Sequence, residues 1–303
     1  MAIELRDPES GLSYPETLVT AAEPFAQRSV AGVLGTFLAV VTYLVVVPIV
    51  ALAGNMAAWA LAGSPGEFKD YAARAQAMEI PAGMFTRHLA VACLILIALA
   101  AVGWFHRVRV RWLFSVQPGF RWRFGFLCFA ASLVILSLAG WAETGFATLA
   151  VTPQADFGWF LAMIILTTPL QAAAEEIFFR GYLLQSLTLV ARNKWVGVAL
   201  SAALFAFFHA GTDPLLFSYR FGFGLIAGAI VVLTGGLEAG IAAHVVNNLL
   251  SFTTAALTTS VATALVVTTI TWNQLVFPLL GFAACGAVAV ALGRKLRVAT
   301  QTP

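Results

Sequence analysis

Residues 157–189 read FGWFLAMIILTTPLQAAAEEIFFRGYLLQSLTL, an apolar run interrupted by only three charges, Glu175, Glu176 and Arg180. A bilayer core about 30 Å thick is crossed by roughly 20 mostly apolar residues in a helix. The run is longer than one straight crossing, and Pro169 inside it predicts a kink or break. An ionisable side chain within lipid costs several kcal/mol, so three in one apolar segment are read first as a functional feature.

Seven further segments have the same apolar character, at about 30–53, 88–105, 124–142, 196–210, 219–234, 237–258 and 274–293. The composition agrees. Hydrophobic residues make up 60% of the 303 and charged residues 10%, against about 25% charged in ordinary globular chains. Mean hydropathy is +0.89. A soluble enzyme, a disordered chain and a nucleic-acid binder are all disfavoured, and a net charge of +3 is too small for a polyanion-binding surface. The expectation is an all-α, polytopic transmembrane bundle of about eight spans. Residues 1–29 form a polar leader, 30–293 a single bundle with its motif-bearing part at about 157–258, and 294–303 a short basic tail. The interval 54–87 reads as a surface segment. Cys93, Cys128 and Cys285 lie in apolar runs and read as small buried hydrophobes.

Lysines and arginines orient such a bundle, being enriched in cytoplasmic loops. With eight crossings, twelve fall on one side, in the leader, the 106–123 loop, the 190–195 turn and the tail. The other side carries Lys69, Arg74, Arg87 and Arg220. Both termini are therefore expected in the cytoplasm, with the protein in the plasma (inner) membrane.

The polar groups inside apolar segments fall into three clusters. Glu175, Glu176 and Arg180 form the first, Phe205 and His209 the second, and His244, Asn247 and Asn248 the third. His88 and His106 fall at expected span ends and read as interfacial. Glu176 and Arg180 are four residues apart, share a helix face and can pair. Glu175 is turned about 100° away and is left for chemistry. His244 and Asn248 share a face, and Phe205 can wall the imidazole of His209. A buried carboxylate and an imidazole can hold and deprotonate a water, while a second imidazole and an amide can donate to a developing oxyanion. Glu175, His209 and His244 could instead bind Zn²⁺ with an open fourth position. No His-Glu-x-x-His or Gly-x-Ser-x-Gly motif is present. For the three helices to meet, the Gly235-Gly236 turn must be sunk, and a polar cavity is expected among the fourth, fifth and seventh spans.

Glu175-Glu176-x-x-x-Arg180, Phe205-x-x-x-His209 and His244-x-x-x-Asn248 together resemble the CPBP family of intramembrane proteases. These are the CAAX proteases and bacteriocin-processing proteins, also called the Abi family, and they include the type II CAAX prenyl endopeptidases. The resemblance covers about 170–250. It implies an intramembrane endopeptidase in which Glu175 is the catalytic base and positions water with His209. His244 and Asn248 would form the oxyanion site, and Glu176, Arg180 and Phe205 would be supporting residues. A metal-free course is favoured, because His244-x-x-x-Asn248 reads as paired donors; if Zn²⁺ is present, its ligands would be Glu175, His209 and His244. The implied partners are the lipid bilayer and a protein or peptide substrate, lipidated or membrane-embedded. The alternative is a non-catalytic scaffold or immunity protein of the same fold. Gly224-x-x-x-Gly228 and Gly236-x-x-x-Gly240 allow close helix packing within the bundle.

Overall fold

A computed structural model describes residues 4–20, 25–117, 119–145, 147–209 and 212–303. The leader positions 1–3 and 21–24 lie outside the described residues. The described regular structure is helical: α1 (Phe25–Leu61), α2 (Phe68–Gln76), α3 (Pro81–Ala101), α4 (Trp122–Glu143), α5 (Phe157–Glu176), α6 (Leu184–Ala191), α7 (Lys194–Phe208), α8 (Pro214–Thr234), α9 (Glu238–Thr258), α10 (Val261–Leu265) and α11 (Trp272–Lys295). Wider π-type turns extend α3 through Val102–His106 and join α5 to α6 through Ile177–Leu183. The protein is an integral membrane protein of all-α type.

Six helical rods are long and apolar enough to cross a bilayer: Ala26–Leu61, Pro81–His106, Trp122–Glu143, Phe157–Ala191, Pro214–Thr234 and Trp272–Lys295. The other two expected spans are also helices, but different ones. The 196–210 segment falls largely in α7, which has 15 residues. The 237–258 segment is α9, whose polar residues line a cavity. The chain stays helical through Pro169, so no break occurs there; the departure from α geometry comes at Ile177–Leu183. Much of the interval 54–87 is helix, because α1 runs to Leu61 and α3 begins at Pro81.

Helix α8 lies against α7 along its glycines. A Cβ on Gly224 would sit 2.7 Å from the Ala202 Cβ, and one on Gly228 would sit 2.8 Å from Val198. The first small-residue pair therefore packs helices within the bundle, as expected. The Gly235-Gly236 turn is buried beneath the loop before α4 and the C-terminal tail: Val116 N–H donates to Gly235 O at 3.0 Å and Leu237 N–H to Phe114 O at 2.9 Å. Behind it, Arg121 grips Glu238 with Nε to Oε1 at 2.8 Å and Nη2 to Oε2 at 2.6 Å. Arg121 is thus a partly buried clamp rather than a loop cation.

The two chain ends are clasped together. Leu12 N–H donates to Thr302 Oγ1 at 2.9 Å, and Thr302 N–H to Leu12 O at 2.9 Å. Residues 4–20 also rest on the loop before α4, where Asp7 accepts from Trp112 Nε1 at 2.7 Å and Arg111 at 3.1 Å and pairs with Arg109. The Trp112 indole N–H, with the two guanidiniums, holds the Asp7 carboxyl below its ordinary value. A carboxyl whose folded pKa is depressed stabilises the fold above its unfolded pKa, near 4, and loses that contribution as pH falls through the folded value. Asp7→Asn is therefore expected to lower the melting temperature in detergent at pH 7, by an amount that shrinks towards zero at the acid end of a melting series. A difference constant with pH would contradict this account.

Candidate active site

The site is built on the junction between α5 and the π turn that follows it. Glu176 is 0% and Arg180 1% exposed, both inside the bundle, with Arg180 Nη1 3.0 Å from Glu176 Oε1. Desolvating two charges is costly, so the pair needs further partners. His244 Nδ1 reaches the same Glu176 oxygen at 2.9 Å. The Arg180 guanidinium lies 4.2 Å from the Phe205 ring centroid and 4.9 Å from that of Phe223, a cation–π arrangement that gains strength when desolvated. Gly240 on α9 leaves room for the carboxylate, since a Cβ there would be 3.2 Å from Glu176 Oε2.

Glu175 points the other way, into a cavity of about 350 Å³. Its Oε2 is 3.6 Å from His244 Nε2 and 3.9 Å from His209 Nε2. The sequence placed these groups on three separate helices, and the fold brings them together. His209 follows the end of α7, where its Nδ1 bonds the Phe205 carbonyl at 2.8 Å. A carbonyl only accepts, so Nδ1 carries the proton and Nε2 of the neutral ring presents a lone pair to the cavity. The Phe205 ring lies 4.2 Å from the imidazole, so it walls His209 as expected and Arg180 as well.

One side chain that the sequence reading passed over, Gln171, completes the arrangement. Gln171 Nε2 donates to Glu175 Oε1 at 2.7 Å, and Gln171 Oε1 accepts from Asn248 Nδ2 at 3.0 Å. Asn247 Nδ2 in turn donates to Asn248 Oδ1 at 3.0 Å. The amides run head to tail and end on Glu175, which leaves Oε2 as the oxygen facing both imidazoles. The spacing of four between Gln171 and Glu175 was the readable signal. Phe223 on α8 was also missed; it packs 4.9 Å from His244.

The cavity draws on more helices than the expected three. Tyr43 of α1, Arg87 and His88 of α3, and Arg220 of α8 also line it. His88 and His106 are both buried within the protein, each 3% exposed; His106 does end its apolar span, whereas His88 lies inside it. Helix α3 begins seven residues earlier than expected, which carries His88 inward to meet Thr167 Oγ1 at 2.7 Å. His106 closes the π turn after α3 and faces the Tyr182 hydroxyl at 3.4 Å.

The adjacent glutamates should behave as opposites in stability. Removing one partner of a buried, hydrogen-bonded ion pair costs about 3–5 kcal/mol, so Glu176→Gln or Arg180→Met is expected to cause a large fall in the thermal midpoint. Glu175→Gln keeps the shape beside the cavity and is expected to shift stability by less than about 1 kcal/mol. Equal losses at 175 and 176, measured by thermal unfolding in one detergent, would refute this division.

Residues 157–250 match the family model described as Rce1-like, type II CAAX prenyl endopeptidase. The uncharacterized protein YyaK of Bacillus subtilis (strain 168) is 30% identical over 105 residues, covering 31% of this chain and 33% of YyaK. The chain therefore matches about a third of that relative's length. No solved structure matches. The matched segment contains Gln171, Glu175, Glu176, Arg180, Phe205, His209, His244, Asn247 and Asn248. Over residues 157–250 this chain is similar to the Rce1-like, type II CAAX prenyl endopeptidase family.

Proposed function

We propose that the protein is an intramembrane endopeptidase of CAAX-protease type that hydrolyses a peptide bond with water activated by Glu175 and His209. The observation that carries this reading is the convergence of one carboxylate oxygen and two imidazole Nε2 atoms, at 3.6 and 3.9 Å, on the wall of one cavity. These separations exceed a direct hydrogen bond and suit a shared water.

A water donating one proton to Glu175 Oε2 and the other to His209 Nε2 has a lone pair directed at a substrate carbonyl. Attack forms the C–O bond while Glu175 takes the proton. The carbonyl oxygen becomes an oxyanion, which accepts from Asn248 Nδ2 and from His244 Nε2–H. Glu176, itself paired with Arg180, accepts from His244 Nδ1 at 2.9 Å and so fixes the ring with Nε2 turned to the cavity. Collapse breaks the C–N bond, and Glu175 returns its proton to the departing amine. The products are a carboxylic acid and an amine. Gln171 holds Glu175 and Asn248 in register and is a positioning residue.

We favour a metal-free course. Asn248 and Gln171 act as hydrogen-bond partners, and Glu175 Oε1 is already engaged by Gln171. The donor chemistry also admits Zn²⁺ on Glu175, His209 and His244, where the ion would act as a Lewis acid and acidify a bound water. Among the described residues, however, no three such groups stand close enough to form a metal site as they are. Elemental analysis of active protein decides between the two courses. We read the side bearing the clasped termini and the arginine-rich loop as cytoplasmic, in the plasma membrane, with a membrane-presented peptide as substrate.

With Glu175→Gln as bait, crosslinking and mass spectrometry should identify bound substrate peptides. Wild-type protein in vesicles should cleave those peptides, and Glu175→Gln should do so at least about 10³-fold more slowly. Cleavage retained by Glu175→Gln would overturn the proposal; binding without any cleavage by wild type would favour a scaffold. Gln171→Leu should lower kcat roughly 10- to 100-fold with little change in KM, as expected when a reacting group is misplaced. An unchanged kcat would remove Gln171 from the positioning role.

A further inference from the structure

A second cavity, of about 360 Å³, lies at the far end of α11, between that helix, the end of α8 and the C-terminal tail. Arg294 and Arg297 line it with Thr300, and Leu233, Val290 and Val298 give it an apolar wall. The chain reverses here to bring the two arginines together. Arg297 adopts a left-handed conformation, φ 53°. Its N–H donates to Arg294 O at 3.1 Å, and the Val298 N–H donates to Gly293 O at 2.8 Å.

Cations near a helix C-terminus commonly serve the last carbonyls. That role is already filled at this site. The carbonyls of Leu292, Gly293 and Arg294 accept from backbone N–H groups, and those of Thr234 and Ala299 accept from Arg121 Nη1 at 3.0 Å each. No acidic side chain lines the cavity. Among the described residues neither Arg294 nor Arg297 forms an ion pair. The ends of α8 and α11 each bring about half a negative charge, which two guanidiniums exceed. Helices α8 and α11 are both long and apolar enough to span, and the headgroups of a bilayer that they cross would lie near these ends.

We propose that this pocket binds the phosphodiester of an anionic glycerophospholipid. The two guanidiniums take the phosphate oxygens, and Leu233, Val290 and Val298 face the glycerol and the upper acyl carbons. Basic pockets between spanning helices have this chemistry, and the planar guanidinium fork matches phosphate. The apolar wall favours a lipid over free phosphate. The site is remote from Glu175 and does not depend on the peptidase reading.

The test is native mass spectrometry of the full chain, purified in neutral detergent and titrated with dioleoylphosphatidylglycerol, with dioleoylphosphatidylcholine and inorganic phosphate as separate arms. Wild type should retain one phosphatidylglycerol in preference to phosphatidylcholine, and phosphate should not displace it. The Arg294→Gln/Arg297→Gln pair should bind about 10- to 30-fold more weakly. Lys295→Gln, in the same turn but outside the cavity lining, should bind like wild type. Both arginines are exposed, so the paired variant should melt at the wild-type temperature without lipid. An equal loss in Lys295→Gln, equal retention of phosphatidylcholine, or displacement by phosphate would each overturn the proposal. The last two arms use wild type alone and hold even if the paired variant misfolds.

Discussion

The ion pair between Glu176 and Arg180 is the interaction on which the other features of the site depend. Two full charges lie inside a helix bundle, neither reaching solvent. Such a pair persists only with good geometry and further partners, because desolvation otherwise exceeds the Coulombic gain. The protein supplies those partners from three directions. His244 brings a hydrogen bond from α9, Phe205 brings a ring face from α7, and Phe223 brings a second from α8. The helices that satisfy the pair are therefore held around it. Glu175, the next residue along, is aimed at the space they enclose.

This arrangement explains why one imidazole touches both glutamates. His244 Nδ1 is tied to Glu176, so its ring plane is set by the structural pair, and Nε2 faces Glu175. His209 is set by a different device, the carbonyl of Phe205 one turn back on α7. Glu175 itself is set by Gln171. Each of these three side chains has one fixed atom and one atom turned to the cavity. In the proposed reaction, such preorganisation would spare the site the cost of rearranging its dipoles. The opposite end of the molecule uses similar means for a different purpose: Arg121 and Glu238 pin the buried Gly235-Gly236 turn, and the clasped chain ends cover it.

Much of this was legible in the chain. Apolar runs located the helices, and the spacing of four paired Glu176 with Arg180 and set Glu175 apart. The same rule applied to Gln171 and Glu175 would have found the amide that holds the carboxylate. It was passed over because a neutral amide in an apolar run carries no charge to flag it. Glu238 was overlooked because it opens its helix after Gly235-Gly236-Leu237, where a solvated acid is ordinary. Arg121 looked like one of five loop cations. Only the approach of the two segments, 117 residues apart, makes them a partly buried pair. His88 was misread through a helix boundary, since an earlier start for α3 moves it two turns inward.

Local physics therefore determined the membrane-spanning helical class, the face each motif residue occupies and the division of labour between the two glutamates. Those properties follow from hydropathy and from 3.6 residues per turn, both of which act over a few residues. The fold alone decided that Glu175 lies within 4 Å of both His209 and His244 and that the cavity recruits α1, α3 and α8. It also decided that the arginines at the end of α11 share a pocket with α8. Those outcomes depend on how rods tilt and pack across a hundred residues or more of intervening chain, and no local spacing encodes that.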